Sequence, residues 1–271
     1  MQVKYPYPVK AGIVKNLLPS GCNIVPAIFK VLIVMLVLWP AAGLQAEGGV
    51  DLEVLKKDAK KGIAPAAFQL GHFYEEGIHG VEKDMVQARM WYAVAADKGS
   101  AYAMNRLGVM YYRGLAGLEK DVKRALNWFE RSAGMGSDVG QYFTGVIYYL
   151  GDDGIKPDAR KALDYFKRSA ERGNAQAQNA LGVMYFHGQG GLTADAEAAV
   201  DWYRKAIEQD NTDAMVHLAS MYQRGQGGLP RDDAKANELY EKASSLGNID
   251  AQRIIETSRG RRRDDIKVKY D

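Results

Sequence analysis

The chain has 271 residues, of which 47% are hydrophobic and 25% are charged, so it is long enough to bury a substantial core. Its 36 basic and 33 acidic residues give a net charge of +3, which does not require the broad basic face of a nucleic-acid-binding protein. Cys22 is the only cysteine and lies near the N-terminus, so the rest of the chain can form no disulfide within itself.

The first 46 residues predict a secretory signal peptide, because basic, apolar and small residues follow one another in that order. Four lysines and no acidic residue accompany the uncharged run Val31 to Trp39, and small residues then lead to a cleavage site after Ala46. The run is shorter than the about 20 residues of a membrane span. An uncleaved anchor is the alternative, and a start codon assigned too far upstream would explain the long basic region. Without the four lysines, 32 basic and 33 acidic residues remain, a net charge of −1.

Residues 47–63 form a lead-in, after which the sequence repeats itself every 37 residues. A fixed period of this length indicates a solenoid built from one supersecondary unit, which binds along a surface rather than in a buried pocket. Three series of residues keep the period: Gly71, Gly108, Gly145, Gly182 and Ala219; Asp84, Asp121, Asp158, Asp195 and Asp232; Ala88, Ala125, Ala162, Ala199 and Ala236.

The first half of each unit predicts a helix with the pattern Leu-Gly-x-x-Tyr-x-x-Gly, as at Leu70, Gly71, Tyr74 and Gly77. Leucine and tyrosine lie four residues apart and share one helical face. The glycine beside them lowers helix propensity, so its benefit must be the close approach of a partner helix. A second glycine, suited to a left-handed C-cap, then ends each first helix, at Gly77, Gly114, Gly151, Gly188 and Gly225.

The second half predicts a helix that begins after the periodic aspartate, whose carboxylate can accept hydrogen bonds from the free N–H groups of the first turn. Its pattern is Ala-x-x-Trp-aromatic, as at Ala88, Trp91 and Tyr92, and we expect the tryptophans to belong to the core. A glycine-containing turn precedes each aspartate. We expect the following residues to cap the next first helices: Ser100, Ser137, Asn174, Asn211 and Asn248.

These motifs resemble the Sel1-like repeat, a relative of the tetratricopeptide repeat with a longer loop between its helices. The resemblance covers residues 64–258, as five helix pairs and a terminal half-repeat from Asn248. It implies an all-α fold, an α/α right-handed superhelical solenoid whose first helices line the concave face, and an adaptor or scaffold function. A cysteine-rich branch of the family binds or hydrolyses penicillin, and this chain lacks those cysteines. Residues 259–271 are expected to form a basic, flexible tail.

The varying positions of the first helices predict a partner-binding stripe, because Leu, Gly and Tyr account for the core positions. The residues three before, one after and four after the small residue share this stripe. In the three central repeats they set aromatic rings side by side, which suits an extended peptide or a helix. The alternative is that these rings pack against the second helix of the neighbouring repeat. The nine residues are Asn105, Val109, Tyr112, Tyr142, Val146, Tyr149, Asn179, Val183 and Phe186.

No catalytic or metal-binding constellation is evident in the sequence. The serines lie mostly at caps or packed positions, no pair of carboxylates stands out, and no metal-ligand spacing relates the four histidines, His72, His79, His187 and His217.

We therefore expect an exported, non-catalytic scaffold with no cofactor and no metal, which binds a protein or peptide on its concave face. It would be periplasmic or secreted, from a Gram-negative bacterium, and would meet the membrane only through export or an uncleaved anchor. No nucleic-acid partner is expected. The alternatives are an envelope protein that binds peptidoglycan or polysaccharide, and a β-lactamase-like enzyme.

Overall fold

A computed structural model describes the backbone of residues 51–268, with side chains as far as Ser258. The signal peptide predicted for residues 1–46 lies outside these described residues. The described part of the chain forms 12 α-helices and no strand. In chain order the helices are α1 (Leu52–Lys60), α2 (Ala64–Glu76), α3 (Met85–Asp97), α4 (Ala101–Arg113), α5 (Val122–Gly134), α6 (Asp138–Leu150), α7 (Ala159–Glu171), α8 (Ala175–His187), α9 (Ala196–Ile207), α10 (Thr212–Arg224), α11 (Asp233–Ser245) and α12 (Ile249–Val268).

The helices pack in consecutive pairs, which confirms the predicted all-α solenoid of five helix pairs. In each repeat a first helix (α2, α4, α6, α8 or α10) packs against the second helix that follows it, and that helix packs against the next first helix. Neighbouring first helices also contact each other, as α4 does with α6 and α8 with α10. These contacts place the first helices side by side in one layer.

Each second helix begins at the periodic aspartate, which confirms the predicted N-cap. In α5 the Oδ1 atom of Asp121 accepts a hydrogen bond from the backbone N–H of Arg124 at 2.8 Å. The backbone N–H of Asp121 donates to the carbonyl of Tyr111, on the first helix of the same repeat, at 2.8 Å. The aspartate therefore fixes the start of the second helix onto the first. The same arrangement recurs at Asp84, Asp158, Asp195 and Asp232.

The predicted caps of the first helices are confirmed, and the asparagines among them also join neighbouring repeats. The Oδ1 atom of Asn211 accepts from the N–H of Ala214 at 2.9 Å, while its Nδ2 group donates to Oε1 of Gln176 at 2.9 Å in the preceding repeat. Asn248 donates in the same way to Asp213 at 2.9 Å. Both asparagines are buried, so each is at once a cap and a link between repeats. All five predicted side chains accept a hydrogen bond from the first turn of the helix that follows: Ser100, Ser137, Asn174, Asn211 and Asn248.

Glycine ends every first helix, as predicted, but the third repeat uses a different conformation. Gly151 has φ 64° and ψ 137°, and a Cβ built on it would lie 2.6 Å from Cδ of Pro157. Proline stands at this loop position in the third repeat only, and its ring lies against the glycine. The left-handed C-cap is adopted by Gly77, Gly114, Gly188 and Gly225.

In all five repeats, a second residue with positive φ stands two positions after the glycine that ends the first helix. The fourth and fifth repeats have Gly190 and Gly227 there. The other three repeats place a side chain in this conformation, which costs about 1–2 kcal/mol for a residue with a Cβ atom. These residues are His79 (φ 56°), Ala116 (φ 57°) and Asp153 (φ 49°).

The small residue of the first helix lets an aromatic ring of the second helix pack directly on its backbone. A Cβ built on Gly108 would lie 2.6 Å from Cε1 of Phe129, a distance that two packed carbon atoms do not adopt. This confirms the predicted close approach of the two helices. The same relationship joins Gly71 to Tyr92, Gly145 to Phe166 and Gly182 to Tyr203.

The ring that fills this space belongs to the residue after the tryptophan, whereas Trp91 and Trp128 pack against the core from a half-buried position. Tyr203 is 3% exposed, whereas Trp202 is half-buried, with Nζ of Lys205 4.1 Å from its ring centroid. Successive helical residues point about 100° apart, so only one of two adjacent aromatic residues can face the first helix. The core rings are Tyr92, Phe129, Phe166, Tyr203 and Tyr240.

Half-repeats close both ends of the described solenoid. At the start, α1 lies in the lead-in, for which the sequence predicted no helix, and its buried Ala59 stands 37 residues before the buried Ala96 of α3. At the end, α12 takes the place of a sixth first helix. Glu256 stands in α12 at the small-residue position, where its side chain would block an aromatic ring. The backbone of α12 stays helical to Val268, within the range predicted as a flexible tail.

Candidate functional site

The nine residues of the predicted stripe lie on α4, α6 and α8, and the structure does not leave them equally accessible. Five are buried, with 2–7% of their surface exposed: Asn105, Tyr142, Val146, Asn179 and Val183. The half-buried members are Val109, Tyr112, Tyr149 and Phe186. The accessible part of the stripe therefore lies in the second half of each of these helices.

The asparagines of the stripe link neighbouring first helices. The Nδ2 group of Asn105 donates to Oγ of Ser137 at 3.0 Å, and Oδ1 of Asn179 lies 3.0 Å from Nδ1 of His217. Both contacts run from one repeat to the next. These side chains therefore hold the layer of first helices together instead of facing outward.

Tyr142 belongs to the interior of the third repeat. Its ring centroid lies 5.3 Å from that of Phe143 and 5.9 Å from that of Phe166, one of the core rings. Burial raises the pKa of the Tyr142 hydroxyl above its usual value, and the carboxylate of Asp213 adds to the effect. The hydroxyl is therefore neutral at physiological pH.

The half-buried tyrosines near the C-terminal ends of α4 and α6 contact loop residues, which belong to the next repeat for Tyr149 and to its own repeat for Tyr112. The hydroxyl of Tyr149 donates to Oε1 of Gln189 at 2.9 Å. Nζ of Lys120 lies 5.6 Å from the ring centroid of Tyr112 and forms an ion pair with Asp152 at 2.7 Å. Burial raises the pKa of Tyr112, with a smaller contribution from Asp152. These rings keep an open side while they support the boundary between repeats.

The prediction missed Tyr102, which is 57% exposed in the first turn of α4. Its ring centroid lies 6.1 Å from that of Phe68 in the preceding repeat. Tyr102 stands three residues before Asn105, so extending the stripe by one helical turn would have found it. One turn further along, Arg106 forms an ion pair with Glu75 at 3.6 Å. The open surface thus begins with an aromatic ring and a charged pair.

Glu75 is shared by two neighbours and shows how polar groups are satisfied at this end of the layer. Besides its ion pair with Arg106, it accepts a hydrogen bond from the hydroxyl of Tyr92. Burial and the carboxylate both raise the pKa of the Tyr92 hydroxyl, so the tyrosine remains a donor. The carboxylate therefore ties a core ring to an arginine of the next repeat.

His217 is a neutral histidine in the layer of first helices. Burial lowers its pKa to about 4, and His187 adds to the shift. Because the amide oxygen of Asn179 can only accept a hydrogen bond, Nδ1 of His217 carries the proton in this contact. The ring also packs 5.2 Å from the ring of Tyr203, measured between centroids.

The described residues contain no group of three or more His, Cys, Asp or Glu side chains arranged to hold a metal ion. None of the helices described here combines the length and apolar character needed to cross a bilayer.

The comparison with protein families gives five consecutive matches to one model, the Sel1 repeat. The matched segments follow the five helix pairs one by one, at residues 64–100, 101–137, 139–174, 175–211 and 212–248. The chain belongs to the Sel1 repeat family. Sel1 repeat proteins generally act as scaffolds for protein–protein interaction. No curated protein matches the chain in sequence.

Two solved structures show similar Sel1 repeat folds. A protective antigen of uropathogenic Escherichia coli strains is 36% identical, with a TM-score of 0.67 over 75% of this chain and 42% of the antigen. A Sel1 repeat protein from Oxalobacter formigenes is 28% identical, with a TM-score of 0.67 over 76% of this chain and 84% of that protein. The Sel1 chain described here thus spans less than half the length of the E. coli antigen.

Proposed function

We propose that this Sel1 repeat protein is an exported, non-catalytic scaffold that binds a protein or peptide partner along the layer of first helices. The observation that carries the proposal is the half-open row of Val109, Tyr112, Tyr149 and Phe186, which Tyr102 extends with a ring that is 57% exposed. Apolar contacts in successive repeats allow one extended partner to be held at several points. Because the surface is already formed, little ordering cost opposes binding.

Export is supported by the composition of the first 46 residues, and the E. coli relative's role as a protective antigen is compatible with it. The test is N-terminal sequencing of the protein recovered from a Gram-negative host. A periplasmic protein that begins at Glu47 is the expected result. A membrane-bound protein that keeps its leader would contradict cleavage and support the anchor instead.

Partner binding is tested by a photo-crosslinking amino acid placed at Tyr102 or at Val109, and separately at Met90 as a control. Met90 is 53% exposed but lies on the second helix α3, away from the stripe. We expect one adduct of the same mass from Tyr102 and Val109 in the cell envelope, and none from Met90. Equal crosslinking from all three positions would contradict a binding surface on the first helices.

Substitution separates binding from packing. The single change Tyr102→Ser removes an exposed ring and should leave the free energy of unfolding within about 0.5 kcal/mol. The triple change Tyr112→Ser, Tyr149→Ser and Phe186→Ser removes half-buried rings, so both partner binding and stability should fall. If Tyr102→Ser binds the crosslinked partner as well as the unaltered protein, and the triple variant loses only stability, the row serves packing alone.

Carbohydrate binding is the second candidate, and the exposed ring of Tyr102 favours it because aromatic rings also stack on sugars. Cosedimentation with isolated peptidoglycan tests this candidate. Retention on peptidoglycan that is lost in Tyr102→Ser would support it, and no retention would exclude it. Turnover of nitrocefin tests the β-lactamase-like alternative, for which we expect no activity.

A further inference from the structure

The tyrosine of the Leu-Gly-x-x-Tyr motif has a cation over its ring in three of the five repeats. The cation comes from the second helix of the same repeat, three residues after the capping aspartate, and lies 4.9–5.7 Å from the ring centroid. Such a contact is attractive because the ring face carries negative electrostatic potential. The pairs are Arg124 with Tyr111, Lys161 with Tyr148, and Lys235 with Tyr222.

The fourth repeat keeps the tyrosine, as Tyr185, but has Ala198 where the cation would stand. The residue before it is also changed. Lys123 and Arg160 occupy that position in the second and third repeats, whereas Glu197 occupies it in the fourth. The fourth repeat therefore replaces two consecutive cations with a carboxylate and a methyl group.

An open cleft of about 510 Å³ lies beside Tyr185. Asp195 and Glu197 are the only charged residues among the nine that line it, so the cleft is acidic. Glu197 lies against the next repeat, because a Cβ built on Gly228 would be 3.2 Å from its Oε1 atom. One oxygen of Asp195, Oδ1, accepts the helix-capping hydrogen bond from Ala198 at 2.9 Å, and the carboxylate has a second oxygen beside it.

The first repeat provides an internal comparison. It also lacks the cation over its tyrosine, since Gln87 stands at that position, but it has Val86 where the fourth repeat has Glu197. Of the five repeats, the fourth alone combines the missing cation with an added carboxylate. The added carboxylate of Glu197 and the missing cationic side chain at Ala198 therefore occur together, where the fourth repeat meets the fifth.

We propose that this cleft binds the cationic side chain of an arginine or lysine from a partner protein. The cation would lie over the ring of Tyr185, as Lys161 lies over Tyr148, and would pair with Asp195 and Glu197. Charge-assisted hydrogen bonds to carboxylates are stronger than those between neutral groups, so the cleft would favour a cation over a neutral side chain of similar size. Tyr185 directly precedes Phe186 of the row on α8, but the other lining residues belong to loops and to the start of α9, and the proposal does not depend on the row.

The test is an NMR titration of the ¹⁵N-labelled chain without its first 46 residues, using the blocked tripeptide Gly-Arg-Gly as the probe. We expect saturable shifts of the backbone amides of Thr193 to Ala198 and of Gly228. The same peptide with neutral citrulline should bind at least about fivefold more weakly, because it keeps the shape of arginine without its charge. Equal binding of the two peptides, or shifts that never saturate, would overturn the proposal.

Two substitutions at one position provide the matched controls. Ala198→Lys supplies the internal cation that three other repeats have, so it should fold normally and abolish the response to the arginine peptide. Ala198→Gln has a similar bulk without the charge, as in the first repeat, and should retain at least about half of the affinity. If Ala198→Lys binds the arginine peptide as well as the unaltered chain, the cation does not occupy this cleft and the proposal is wrong.

Discussion

The ring of Tyr203 occupies the space that a side chain on Gly182 would need. A Cβ built on Gly182 would lie 2.4 Å from Cε1 of that ring, the closest of the four contacts between such a glycine and a core ring. The two helices of this repeat can therefore approach this closely only because residue 182 has no Cβ atom.

Gly182→Ala should lower the free energy of unfolding by about 1–2 kcal/mol. Overpacking costs about 1–3 kcal/mol, and the better helix propensity of alanine returns at most about 1 kcal/mol of it. Gly134→Ala is the control, because Gly134 is helical and a Cβ there meets nothing within 4 Å. Urea denaturation should show that only Gly182→Ala destabilises. Equal stability of the two variants would mean that the ring of Tyr203 moves freely.

Substitutions of Asn211 should separate its capping role from its link to the preceding repeat. Asn211→Ala loses both and should cost about 2–3 kcal/mol, of which the cap accounts for about 1 kcal/mol. Asn211→Ser keeps an oxygen that can cap the helix but cannot reach Gln176, so it should cost about 1 kcal/mol. Thermal denaturation measures both variants. If serine and alanine are equally harmful, the cap contributes nothing.

His217 should make the protein less stable in acid. Its pKa is lowered to about 4 in the folded state, whereas an unfolded histidine titrates near about 6.5. The unfolded chain therefore binds the proton more readily, and stability that is fully present above about pH 6.5 is lost as the pH falls to about 4. The loss should be on the order of 3 kcal/mol, since each unit of pKa difference is worth about 1.4 kcal/mol.

The measurement for His217 is chemical denaturation at several pH values, compared with His217→Asn. The asparagine keeps an N–H donor for Asn179 but does not titrate, so its stability should fall less over this pH range. Both proteins retain the acidic residues, and the difference between their slopes isolates the histidine. Identical slopes would show that His217 titrates normally in the folded protein.

Ala116→Gly should stabilise the protein by about 0.5–1 kcal/mol. Glycine removes the strain of a Cβ atom at φ 57°, and this gain exceeds the extra chain entropy that glycine has when unfolded. The fourth and fifth repeats already have glycine at this position. Ala103→Gly, in the buried part of α4, is the opposite control and should destabilise. A melting temperature that falls for Ala116→Gly would contradict the strain argument.

Most of the fold was predictable because the period repeats each local signal five times. Asp121, for example, was predicted as a cap from its spacing, and its hydrogen bonds agree. It was harder to predict which of the two adjacent residues, Trp202 or Tyr203, packs against the first helix. The sequence does indicate the answer, since the position of Tyr203 is aromatic in every repeat, whereas the position of Trp202 is occupied by Leu239 in the fifth repeat.

The binding stripe was less predictable because its accessibility depends on contacts between repeats. Tyr142 and Phe186 both lie on it in sequence, yet Tyr142 packs on Phe166 and Phe186 remains half-buried. A helical period identifies which residues share a face, but not how far the next repeat covers that face. The exposure of Tyr102 depends on the same packing.

Glu256 has a consequence for how copies of this protein meet. The apolar end of a solenoid can serve as a template, and Ile249 near this end is 51% exposed. A helix from another molecule that docked there would need to seat an aromatic ring where the carboxylate of Glu256 stands. Burying that charge without a partner is unfavourable. A single charged side chain at the last small-residue position thus opposes head-to-tail polymerisation of neighbouring molecules.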